Sequence, residues 1–143
     1  MLGNFIMSYE DIFDQSFERV KKITKNGQSF FAAFYDNFIN ASPEVAEQFS
    51  ATALDHQAKM MEKSFYGLFV FYATQNANDY LEKIAFQHSA HHLGVKPALF
   101  DLWLDNLMKT VEDFDTECTA EVILSWRVVL SPGITYMKHK YSV

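Results

Sequence analysis

The sequence has little that would break a helix and almost nothing from which to build a cysteine site. Five glycines and three prolines punctuate 143 residues, with a single cysteine. A lone Cys118 excludes an internal disulfide and a cysteine-built zinc or iron–sulfur centre, and single cysteines are mostly inert packing residues. No apolar run approaches the ~20 residues a membrane-spanning helix needs. Basic residues are outnumbered, 12 Lys and Arg against 18 Asp and Glu, for a net charge of −6. The one basic cluster, Arg19-Val-Lys21-Lys22, lies among acids. Nucleic acid is therefore excluded as main partner, because a phosphate-binding surface needs clustered cations. The first residues, Met1-Leu-Gly-Asn-Phe-Ile-Met7, show neither a positive stretch nor a small-residue cleavage site, so a cytoplasmic address is expected. No segment alternates as a strand does, and there is no repeat or low-complexity tract.

What is abundant is apolar and aromatic: 49% hydrophobic residues and 14 phenylalanines. A chain of this length forms one domain and buries about two thirds of its unfolded surface. Ser8 with Glu10 and Asp11 opens a first helix, in which Ile12, Phe13, Phe17, Val20 and Ile23 recur at helical spacing. Lys25-Asn-Gly27 is expected to end it. A phenylalanine-rich helix follows from about Ser29 to Asn40. Ser42-Pro43-Glu44 supplies a cap, a first-turn proline and a favourable acid for a short helix ending near Phe49. A long helix is predicted from about Leu54 to Gln75, another from Asp79 to His92, one opened by Pro97, and a last from Thr119 to Lys140. Pro132 inside the last should kink it. Seven helices and no sheet define an all-α fold.

Three of the five histidines lie at 88, 91 and 92. His88 falls four residues after Ile84, so it shares the inward face of Leu81, Ile84 and Ala85. A buried imidazole needs partners for its ring nitrogens. A backbone carbonyl, a water or a metal would each serve, and a neutral imidazole is the commonest metal ligand. Spacing alone leaves a satisfied core histidine and a ligand both open.

The order of parts resembles a globin, in particular the short single-domain globins of bacteria, over nearly the whole chain, residues 1–143 forming a single globin domain. Phe34-Tyr35 is followed by Phe49 across a proline-started helix. Thr52 and Gln57 follow at the long helix. His88 lies nine residues before Pro97, where Val95-Lys-Pro97 leads into Leu102-Trp103-Leu-Asp105-Asn-Leu107. Ser125-Trp126-Arg127 and Pro132-Gly133 close the pattern. The resemblance implies a haem pocket holding haem b, iron protoporphyrin IX, with His88 as proximal iron ligand. It implies that Phe49, Met61 and Val95 pack on the porphyrin, and that Tyr35 and Gln57 are the distal groups donating hydrogen bonds to a bound gas. A register slip by one would put His56 in place of Gln57, and His91 is the rival to His88. It further implies reversible binding of dioxygen, with nitric oxide and carbon monoxide as related ligands, by a monomer or homodimer. The alternative is nitric oxide dioxygenation using an external reductase; a gas sensor or haem-free module is a third reading. Where strongly dioxygen-activating globins carry a proximal tyrosine, this chain has Phe100, which supports peroxidase-like chemistry less.

Overall fold

The computed structural model describes residues 7–49 and 54–142, without the side chains of 48, 49, 54, 55 and 58. Seven helices run α1 Tyr9–Lys21, α2 Phe30–Ile39, α3 Pro43–Phe49, α4 Leu54–Thr74, α5 Asp79–His88, α6 Pro97–Phe114 and α7 Ala120–Lys140. Four start on a side-chain cap: the Ser8, Ser29, Asn78 and Thr119 oxygens accept from the backbone N–H three residues on. Each satisfies one of the amides that a helix start leaves without a partner. Pro97 opens α6 with no side-chain cap. No helix among the described residues is long and apolar enough to cross a membrane.

Two local expectations change. Between α1 and α2 lies a two-stranded antiparallel hairpin, β1 Thr24–Lys25 and β2 Gln28–Ser29, pairing Thr24 with Ser29 and Lys25 with Gln28. Helix α1 ends at Lys21, and Asn26 and Gly27, with φ of 52° and 76°, form the hairpin's turn. Two successive positive φ values suit a two-residue hairpin, and Asn-Gly adopts them readily. Helix α5 stops at His88, not His92. Ser89 turns extended, and the loop folds back to satisfy the last carbonyls: Leu93 N–H donates to Gln87 O, Val95 N–H to His88 O and Gly94 N–H to Ser89 O. Gly94 permits this at φ 64°. Helix α7 runs unbroken across Pro132, which removes one backbone donor without ending the helix.

Helix α7 is the packing centre, lying against α1 and α4, while α2 packs on α6. Trp126 is fully buried, with Phe13 edge-on at 4.8 Å, Phe30 at 5.9 Å and Phe65 at 5.9 Å. Where α7 crosses α4, the second helix sits against Gly133. A Cβ there would collide with Leu68 Cδ2 and lie 3.3 Å from Leu68 Cα. Glycine lets these two backbones approach more closely than any other residue would.

The burial of Trp126 leaves an indole N–H needing an acceptor. It donates to Ser16 Oγ at 2.9 Å, and Ser16 donates onward to Asp115 Oδ2 at 2.6 Å. Asp115 also accepts Arg19 Nε and Nη2, both at 2.8 Å, and Glu117 N–H at 2.9 Å. One carboxylate thus ties α1, the α6–α7 corner and, through Ser16, α7. Burial pushes the Asp115 carboxyl up, but Arg19, Ser16 and the Glu117 amide outweigh it, and its pKa lies below the ordinary aspartate value. A pKa lower in the folded chain than in the unfolded one stabilises above the unfolded value, and that stabilisation fades as pH falls through the folded one. Acid unfolding should therefore steepen below about pH 4. Asp115→Asn should flatten that limb and cost about 2–3 kcal/mol at neutral pH, as for a lost hydrogen bond to a charged group. Urea unfolding at a series of pH values measures both.

Candidate functional site

The α5 stripe builds the site. Leu81, Ile84 and Ala85 are buried. Four residues past Ile84, one helical turn, His88 projects from the same side. Its Nδ1 lies 2.7 Å from the Ile84 carbonyl oxygen. A carbonyl only accepts, so Nδ1 carries the proton and Nε2 keeps its lone pair. Nε2 takes no hydrogen bond from any described residue. Desolvation pushes the imidazole pKa down, opposed by the Ile84 hydrogen bond. The ring of Phe100 stands 6.2 Å from the His88 ring.

His88 lines a cavity of about 400 Å³ whose wall is mostly apolar. Tyr35 from α2, Gln57 and Met61 from α4 and Val95 from the α5–α6 loop line the same cavity. Met61 and Tyr35 are buried, and Gln57 and Val95 half-buried. His56 also reaches the cavity wall but is exposed, while its neighbour Gln57 is the less accessible of the two. Burial raises the Tyr35 phenol pKa strongly, with a smaller contribution from Tyr80, so the hydroxyl stays protonated as a donor. The Phe49 side chain lies outside the described residues. His91 is not on this cavity. With His92 it borders a separate groove beside Phe86, Tyr136 and Lys140.

The cavity wall also holds groups that sequence reasoning passed over. Trp103 was read as a packing anchor; it is half-buried on the wall, edge-on to Phe34 at 5.7 Å and Phe65 at 6.1 Å. Ser64 and Tyr80 line it as well. Tyr80, Ile84 and His88 are spaced by four, one stripe of α5, and that spacing was the available signal. The Tyr80 hydroxyl lies 3.4 Å from both the carbonyl oxygen and the sulfur of Met60. Burial raises its pKa, and the Ser64 hydroxyl opposes that shift.

Among the described residues no group of three or more His, Cys, Asp or Glu side chains could hold a bare metal ion. The site offers the His88 imidazole in mostly apolar surroundings, with the exposed His56 at its rim and amide and phenol groups on other helices. A metal held here needs its remaining ligands from a group that brings them.

Comparison with known proteins accords with this arrangement. A Pseudomonas aeruginosa PAO1 protein, described as structurally highly homologous to a human hemoglobin, superposes with a TM-score of 0.85 at 29% identity, covering 95% of this chain and 100% of that one. The fold is a globin fold. No family model and no curated relative matches the chain. In this globin-like chain, then, the helix ending at His88 and the long helix carrying Gln57 and Met61 wall a cavity in an all-α frame.

Because the half-buried imidazole has a lowered pKa, the unfolded chain takes up its proton first, and this contribution to stability is lost as pH falls below about 6.5. NMR of the cofactor-free chain should show His88 protonated at Nδ1 at neutral pH, titrating below the usual histidine range. Titration at or above that range would contradict the burial and the hydrogen bond together.

Proposed function

We propose that the chain binds haem b and, through it, dioxygen reversibly. The observation carrying this is the His88 imidazole: with Nδ1 held by the Ile84 carbonyl, its other nitrogen is left to a mostly apolar cavity wall, where no group of three or more His, Cys, Asp or Glu side chains among the described residues could hold a bare metal ion. A tetrapyrrole brings four nitrogens of its own, and the cavity's apolar wall fits its faces. The globin fold supports the reading.

Haem iron would supply an open coordination position that takes a diatomic gas. The chain's part is to hold and tune. His88 would hold the iron through Nε2, the ring's orientation being set by Ile84 O. Met61, Val95 and Phe100 would pack on the ring and exclude water. Tyr35 and Gln57 line the cavity and would donate hydrogen bonds to a bound gas, which low polarity would strengthen. The Nδ1 partner is a neutral carbonyl, and Phe100 cannot hydrogen-bond, so His88 receives less electron density than a carboxylate partner would push onto it. That favours holding a gas over cleaving one. Carbon monoxide and nitric oxide would enter the same site, and nitric oxide dioxygenation would need an external reductase.

The purified chain should show a Soret band after haem is offered, and its absence would overturn the reading. His88→Ala should abolish normal axial ligation, whereas His91→Ala should leave the spectrum nearly unchanged; the reverse result would move the ligand to His91. Tyr35→Phe and Gln57→Leu should each speed dioxygen release, measured by stopped flow, by roughly five- to thirtyfold, from a hydrogen bond of about 1–2 kcal/mol. Unchanged rates in both would remove them as distal donors.

A further inference from the structure

Helices α4 and α5 pack closely where α5 starts. Gly67 of α4 is buried, and a Cβ there would stand 3.2 Å from Asn78 Oδ1 and 3.4 Å from Leu81 Cβ, so the start of α5 sits tight against α4. Two turns away along each helix, Met60, Met61 and Gln57 on one and His88 on the other line the cavity. Tyr80 is the side chain that reaches across. It leaves α5 one residue before Leu81, and its hydroxyl meets the Met60 carbonyl and thioether, both at 3.4 Å. Ser64 Oγ donates to the same carbonyl at 2.9 Å. Lys63 Nζ lies 6.0 Å from the centre of the Tyr80 ring. The phenol is half-buried and lines the cavity.

We propose that Tyr80 is a positioning residue: a strut from the His88 helix to the Met60 carbonyl that sets the width of the cavity between His88 and the Gln57–Met61 turn. The inference rests on the haem reading above. Three features make the strut adjustable. Its two contacts are longer than the usual O–H donor distance of about 2.7–2.8 Å. They are shared between two acceptors. The Met60 carbonyl keeps Ser64 as a partner when Tyr80 lets go. Met60 precedes Met61, so tension at its carbonyl acts on the turn that faces the ligand. Width in such a slot governs how firmly a flat ring is gripped and how closely Gln57 approaches a ligand, without Tyr80 touching either.

The test is Tyr80→Phe, which removes the hydroxyl and keeps the ring, with Tyr66→Phe as control, since Tyr66 is an exposed tyrosine of α4, the helix that Tyr80 reaches, and is not on the cavity wall. Haem transfer from the loaded protein to excess scavenging apo-globin should quicken by about three- to tenfold in Tyr80→Phe, the effect of one ordinary hydrogen bond. The carbon–oxygen stretching band of the carbon monoxide complex should broaden or split, because the strut no longer limits the range of widths; a purely structural tyrosine would leave that band in place. The control should move neither. Parental transfer rate and band in Tyr80→Phe overturn the strut while leaving haem binding intact. A parent chain that takes up no haem overturns both readings.

Discussion

The hydrogen bond from His88 Nδ1 to the Ile84 carbonyl, 2.7 Å long, governs the site. It lies within one turn of one helix and needs nothing from elsewhere in the chain. It fixes the tautomer, turns the ring, and leaves a single lone pair in an apolar cavity. Helix α5 ends at the same residue, because Ser89 goes extended and Gly94 takes a positive φ. The returning loop then places Val95 on the cavity wall and closes on the His88 carbonyl. The orientation of the imidazole and the ending of the helix are therefore one local event.

That event is held by a frame built on different chemistry. The cavity side of the molecule is apolar and contains space. The other side is filled by interlocked aromatic rings around Trp126, with a buried Ser16–Asp115–Arg19 chain bonded to its indole. No described side chain there has a buried polar atom lacking a partner. Fully satisfied polar chains in a low-dielectric core give a defined arrangement at little cost. Rigidity thus concentrates in α1, α6 and α7, and the helices around the cavity lean on it.

Much of the architecture was legible because it is written locally. Ser8, Ser29 and Thr119 sit where caps belong, Pro43 and Pro97 at first turns, and the apolar spacing between them carries a helical period. Tyr35, Gln57, Met61, His88 and Val95, singled out along 61 residues of sequence by resemblance and order, share one cavity wall. What was missed depends on backbone geometry or on partners distant in sequence. Asn26-Gly27 was read as a helix stop, since residue types do not reveal that both φ angles are positive. The end of α5 was set four residues late, because the loop amides that replace its helical bonds come from residues 93 to 95. The bond between Ser16 and Asp115 spans 99 positions. Tyr80 was passed over because its role lies in what it reaches on α4, 20 residues back.

The contact between Gly133 and Leu68 has an evolutionary reading. Leu68 and Ile134 both line the cavity, so the crossing point of α4 and α7 is also part of its wall. Any side chain at 133 must displace Leu68 or pry the two helices apart. A descendant that enlarged position 133 would have to shrink position 68 in step, and the cavity would change shape with it. The two positions therefore form a linked pair, and drift at either one is tied to the space inside the cavity.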